Sequence, residues 1–216
     1  SSAASDVYKR QILYMKFPFF ASFLVFVVWL TYEISKHDKM DAEKERSFWA
    51  KEHRANNTRR KSLEDLSYIT VPLDSLFLQL LPDDEKAAEY KETLRTLSES
   101  QIVNFTGITN TDLKLKYGAP NIDLLSRYDQ NYTILARTLN QWAHCLHQNG
   151  YSKEAREVLE FAVSTGTDIS SSYKLLCKIY LEENTPEKIQ ALYPTVDALN
   201  SAMKNAIVRI LQEAGQ

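Results

Sequence analysis

Apolar and polar positions fall into three regimes along the 216 residues of this chain. Residues 17–32, FPFFASFLVFVVWLTY, form the only long uncharged run. With Met15, Lys16, Glu33 and Ile34 the run reaches twenty residues, or about 30 Å of helix at ~1.5 Å per residue. Lys16 at one end, and Trp29 and Tyr32 at the other, are residue types that favour a membrane interface. The pattern predicts a transmembrane helix over 15–34 with these three side chains at its boundaries. Residues 35–61 have neither Pro nor Gly and are rich in both charges, which predicts a solvated helical stalk.

From residue 62 onward the apolar positions recur at helical spacing. Tyr68–Leu73, β-branched and interrupted by Pro72, reads as extended. Pro82 and Asp83 open a helix with Ala87, Tyr90, Leu94 and Leu97 on one face. Residues 101–120, with Gly107, Gly118 and Pro120, read as irregular. A long stripe then runs Leu124, Tyr128, Leu135, Leu139, Trp142 and Leu146, and Asn149-Gly150 ends it. Ser152 is the expected N-cap of the next helix, which buries Ala155, Leu159 and Ala162 and closes at Gly166. Ser170 or Ser171 starts another, carrying Tyr173, Leu176, Cys177 and Tyr180. Thr185-Pro186 is a start signal, and Pro194 breaks the helix that follows. A last helix carries Val196, Leu199, Met203, Ile207 and Ile210. Short connections make neighbours antiparallel, and the predicted fold class is all-α. The expected organisation is a leader over 1–14 unrelated to the fold, the membrane helix, the stalk, short helices with an irregular linker over 62–120, and a helical domain over 121–216.

Two hairpins share a spacing. Ala143, Leu146, Gly150, Ala155, Leu159 and Ala162 are followed, 34 positions on, by Cys177, Tyr180, Asn184, Ile189, Tyr193 and Val196. The stretch NQWAHCLHQNGYSKEAREVLEFAV resembles the tetratricopeptide repeat, in which small residues let two helices cross closely and a turn residue separates them. The second unit departs from the pattern at Ile189 and Pro194. The resemblance implies a groove that holds peptides or helices, lined by the first helix of each hairpin. Carried onto this chain, that groove shows Arg137, Asn140, His144 and His147, then Lys174 and Lys178. Such a row suits an acidic peptide or a C-terminal carboxylate.

Charge sharpens this reading. Residues 33–61 hold nine Lys/Arg against six Asp/Glu, whereas residues 62–216 hold fourteen against twenty-one. An acidic body argues against nucleic acid as a partner. The basic stretch over 36–61 suits anionic headgroups beside a bilayer that holds 17–34. The Lys/Arg excess after the apolar run places the C-terminal part in the cytoplasm, at the plasma membrane.

Catalysis finds no foothold. The chain has five glycines and no phosphate loop, no GxSxG and no HExxH. His144, Cys145 and His147 are close in sequence, but one or two steps along a helix turn them away from each other. Cys145 and Cys177 belong to no CxxC and read as reduced core thiols. No cofactor or metal is expected. The expected function is a membrane-anchored, non-catalytic protein-binding scaffold or adaptor. The alternatives are a structural subunit assembled through its transmembrane helix, or an outward-facing receptor if the topology is reversed.

Overall fold

The computed structural model describes residues 2–215, with side chains from residue 20 onward. Among the described residues every regular element is helical. The long helices are α1 (Ser2–Asn56), α2 (Glu85–Ser98), α3 (Asn110–Tyr117), α4 (Ile122–Gln148), α5 (Ser152–Ser164) and α6 (Ser170–Glu182). They are followed by the short α7 (Glu187–Ala191) and α8 (Tyr193–Asp197), then α9 (Lys204–Ala214). The chain divides into two compact units, one ending at Arg54 and one beginning at Ala55.

In the first unit the membrane expectation is overturned. Among the described residues no helix is long and apolar enough to cross a membrane. The uncharged run 17–32 spans sixteen residues, about 24 Å of helix against a hydrocarbon core of ~30 Å. Past Tyr32 the helix meets Glu33, Lys36, His37, Asp38 and Lys39, so lengthening the window adds charge faster than apolar surface. With the span goes the expected single-pass plasma-membrane location with a cytoplasmic C-terminal part. Trp29 and Tyr32 are exposed side chains of α1. The side chain of Lys16 and the leader over 1–14 lie outside the residues described with side chains. Local pairs accompany the charged half of α1, Glu33 with Lys36 at 3.9 Å and Asp41 with Lys44 at 3.3 Å. Such exposed pairs contribute only a few tenths of a kcal/mol each, about 0.3–0.5.

The second unit is built around α4. Leu135, Leu139, Trp142, Ala143 and Leu146 are completely buried, because α2 packs on one side of α4 and α5 on another. Small residues at Ala143, Ala155 and Ala162 are buried with them, as close helix crossing requires. α6 packs on α5 and on α9, continuing the layers. The buried positions on α4 are phased one residue later at its start than the sequence stripe suggests: Leu125 is fully buried, not Leu124.

The 34-residue spacing reappears in the helix boundaries. α4 ends at Gln148 and α6 at Glu182, and the next helices begin at Ser152 and Glu187. Both ends use the same termination. Tyr151 N–H donates to the Leu146 carbonyl at 3.0 Å and Gly150 N–H to His147 at 3.1 Å. In the second hairpin Thr185 N–H donates to Tyr180 at 2.8 Å and Asn184 N–H to Leu181 at 3.1 Å. The reversal needs a left-handed residue, supplied by Gly150 (φ +86°) and by Asn184 (φ +55°). Pro194 has the effect expected of it, dividing α7 from α8.

Residues 101–120 are not wholly irregular. α3 begins at a reciprocal cap: the Thr109 hydroxyl accepts from Asp112 N–H at 3.2 Å and donates to its carboxylate at 2.6 Å. It ends at Gly118, whose two chain neighbours strap the segment after α1 to the domain. Lys61 N–H donates to Tyr117 and Ala119 N–H to Thr58, while buried Asn121 donates to both Lys61 and Tyr117 carbonyls. A second, smaller cluster of Leu66, Val103, Phe105, Leu113, Tyr117 and Leu125 fills the space beneath.

Two substitutions test this packing by urea denaturation of the full chain. Gly118 holds φ +94° and ψ 140°, and a Cβ there would lie 2.2 Å from the Arg59 carbonyl oxygen. Gly118→Ala therefore loses at least ~1–3 kcal/mol. Trp142→Phe keeps most of the buried volume but leaves the Leu76 carbonyl unpaired, and is expected to cost about 2–3 kcal/mol.

Candidate functional site

Two cross-contacts define how the site is assembled. Asn140 Oδ1 on α4 accepts from the hydroxyls of Ser171 and Ser172 at the start of α6, at 2.9 and 3.0 Å. His147 Nε2 lies 3.1 Å from Lys178 Nζ. Both partners have advanced by about seven residues between the two contacts, so α4 and α6 run parallel with α5 returning between them. This is what two successive antiparallel turns produce, and it puts the first helix of each hairpin on one face.

On that face lies a cavity of about 870 Å³. His144 and His147 from α4 and Lys174 and Lys178 from α6 line it. Its apolar surface comes from Leu175, Cys177 and Leu181 of α6 with Ile210 and Ala214 of α9. Glu182 and Glu213 bring negative charge to the C-terminal ends of the same two helices. The site is therefore an open apolar groove with a basic row along one side and carboxylates toward one end.

The predicted groove residues divide cleanly. His144, His147, Lys174 and Lys178 are brought together around the cavity. Asn140 is not among its lining; its side-chain oxygen is used to dock α6, and it borders a smaller cavity of about 420 Å³ with Tyr90 and Cys145. Arg137, one turn earlier, is exposed and lines neither cavity. The sequence reading missed the contribution of α9. Ile210, Glu213 and Ala214 are spaced i, i+3, i+4, a pattern legible in the chain, but its place beside α6 depends on the bend over residues 198–203.

Ser152 departs from its expected role in a way that matters here. It is the first residue of α5 and makes no cap hydrogen bond; its hydroxyl instead lies 3.0 Å from His147 Nδ1. His147 is thus held at both ring nitrogens, by Ser152 and Lys178. Lys178 is also 3.6 Å from Glu182. Burial lowers the pKa of His144, the neighbouring His147 lowers it further, and a backbone hydrogen bond with Ser171 opposes the change.

Away from the groove, a second polar cluster joins α5, α6 and α7. Glu160 receives Arg156 Nη1 at 3.0 Å and the Tyr180 hydroxyl at 3.0 Å, with Lys188 Nζ at 3.8 Å. Arg156 Nε forms an ion pair with Glu183 Oε2 at 3.1 Å. The charges pair across helices, while Arg156 Nε and Glu183 Oε1 are buried without a hydrogen-bond partner. Among the described residues no group of three or more His, Cys, Asp or Glu is placed to hold a metal ion.

The chain matches no protein-family model, no curated protein and no solved structure. The resemblance to tetratricopeptide repeats accordingly stands on residue spacing alone.

The thiols give a direct check of the groove floor. Both are free. Burial raises the pKa of Cys177 to about 11 and also raises that of Cys145, which is the less buried of the two. At pH 8 only about one Cys177 in a thousand is thiolate. A thiol-reactive disulfide reagent is expected to label Cys145 first, and Cys177 only slowly or after unfolding.

Proposed function

We propose that the unit beginning at Ala55 is a non-catalytic docking module, whose groove along α4, α6 and α9 receives an acidic amphipathic segment of another protein. The single observation that supports this reading is a row of four basic or titratable side chains beside an apolar floor, on a body carrying excess negative charge. Residues 62–216 carry an excess of Asp and Glu, and Glu182 and Glu213 lie toward one end of the groove, so the row of His144, His147, Lys174 and Lys178 is the part of the groove that selects an acidic segment. The apolar floor supplies contact area, since Leu181 and Ile210 remain accessible and can each bury surface at roughly 25 cal/mol per Å². Lys174, Lys178 and the histidines supply orientation through charge-assisted hydrogen bonds. A groove of this kind does its work by complementarity and leaves bonds unbroken. The stacked hairpins keep the two helices parallel, which spaces the basic groups regularly for a helical or extended ligand.

The test uses the full chain and two synthetic, fluorescently labelled amphipathic helices, one built of Leu, Ala and Glu and one of Leu, Ala and Lys. Anisotropy is expected to show saturable binding of the Glu peptide and little of the Lys peptide. Lys174→Glu with Lys178→Glu should weaken the Glu peptide about tenfold or more, equivalent to ~1.4 kcal/mol. Equal binding of both peptides, or of neither, overturns the reading.

A further inference from the structure

The bonds at His147 carry a regulatory consequence for the same groove. Lys178 Nζ has only protons to offer, so at 3.1 Å from His147 Nε2 it must be the donor and Nε2 the acceptor. The ring's one proton is then on Nδ1, donated to Ser152 Oγ at 3.0 Å. This arrangement requires a neutral imidazole. A proton added to Nε2 leaves it no lone pair and sets two cations against each other, so the contact breaks.

We propose that protonation of His147 gates the groove: at neutral or higher pH the imidazole engages Lys178, and on acidification it releases Lys178 and adds its own charge to the basic row, tightening the hold on an acidic segment. The inference rests on the docking reading above. The surrounding charges set its sign. His144 shares α4 with His147. Lys153 and Glu154 lie in the first turn of α5, beside Ser152. Lys174, Lys178 and Glu182 come from α6, and Glu213 from α9. Imidazole is the side-chain type whose charge responds to mild acidification. Glu182, 3.6 Å from Lys178, is the local competitor for the released ammonium. An acidic ligand stays ionised. The net change in the groove is therefore an added positive charge together with a lysine no longer tied to a neutral ring.

Two measurements on the full chain decide it. The labelled Glu peptide is expected to bind roughly threefold to tenfold more tightly at about pH 5.5 than at about pH 8, and His147→Gln, with helicity checked by circular dichroism, should flatten that dependence. Binding that does not change with pH, or changes equally in the variant, overturns the gating and leaves the docking reading intact. Absence of binding at every pH overturns both. Imidazole ¹⁵N shifts of the chain without peptide test the contact itself. At about pH 8 His147 should be the Nδ1–H tautomer, and an Nε2–H ring there overturns the proposal whatever the peptide does.

Discussion

Trp142 is the point on which the second unit turns. Its ring is completely buried on α4, and its indole N–H donates to the Leu76 carbonyl at 2.8 Å, sixty-six residues away in sequence. Lys91 of α2 lies over the same ring at 5.6 Å and donates to the Leu81 carbonyl at 2.8 Å. These two bonds grip the connection between Leu76 and Leu81, where Phe77 and Leu81 hold left-handed backbone angles (φ 54° and 51°). Left-handed geometry costs a side-chain-bearing residue roughly 1–2 kcal/mol, so it persists only where tertiary bonds hold it. The tight connection delivers α2 onto α4, and α4 thereby becomes a helix covered on more than one side.

A covered α4 makes the rest of the stack regular. Buried on its α2 and α5 sides, it leaves one stripe for the open face, and α6 comes alongside it after α5 has returned. The turn slots Gly150 and Asn184 do the same work in both hairpins. They reverse the chain in a few residues and satisfy the last carbonyls of each helix. The Arg156, Glu160, Tyr180 and Glu183 cluster then ties α5 to α6 and the turn after it. Each of its charges has an opposite partner at 3.0–3.1 Å, which offsets part of the desolvation that half-buried ions incur. The groove lies apart from this cluster, and its own polar ties are those of His147 with Ser152 and Lys178 and of Lys178 with Glu182.

Much of the helical architecture was legible in the chain because it follows from local rules. The stripe through Leu135, Leu139, Trp142 and Leu146 needs only the 3.6-residue period. Gly150 and Pro194 act through backbone geometry that neighbours cannot override. Four of the six groove residues share a face for the same reason of spacing. Where several rules competed, local reading failed. Ser152 fits an N-cap by type, yet His147 is within reach and takes its hydroxyl. Thr109 and Asp112 formed a cap that the glycines and Asn/Thr-rich surroundings concealed. The apolar run at 17–32 matched a bilayer span in character but not in length once its charged flanks were counted.

Apart from α3 and the division of the expected last helix into α8 and α9, the sequence by itself determined most of the helices and their turn at Gly150, which residues are apolar on each, and that two hairpins repeat at a common spacing. All of these depend on torsion angles and periodicity within a few residues. Only the tertiary structure decided that α4 and α6 lie parallel, that α9 supplies the far wall of the groove, that Asn140 is consumed in docking while Arg137 stays outside, and that His147 meets Lys178. Those outcomes depend on which faces exclude water together, and that is settled by packing between segments distant in the chain.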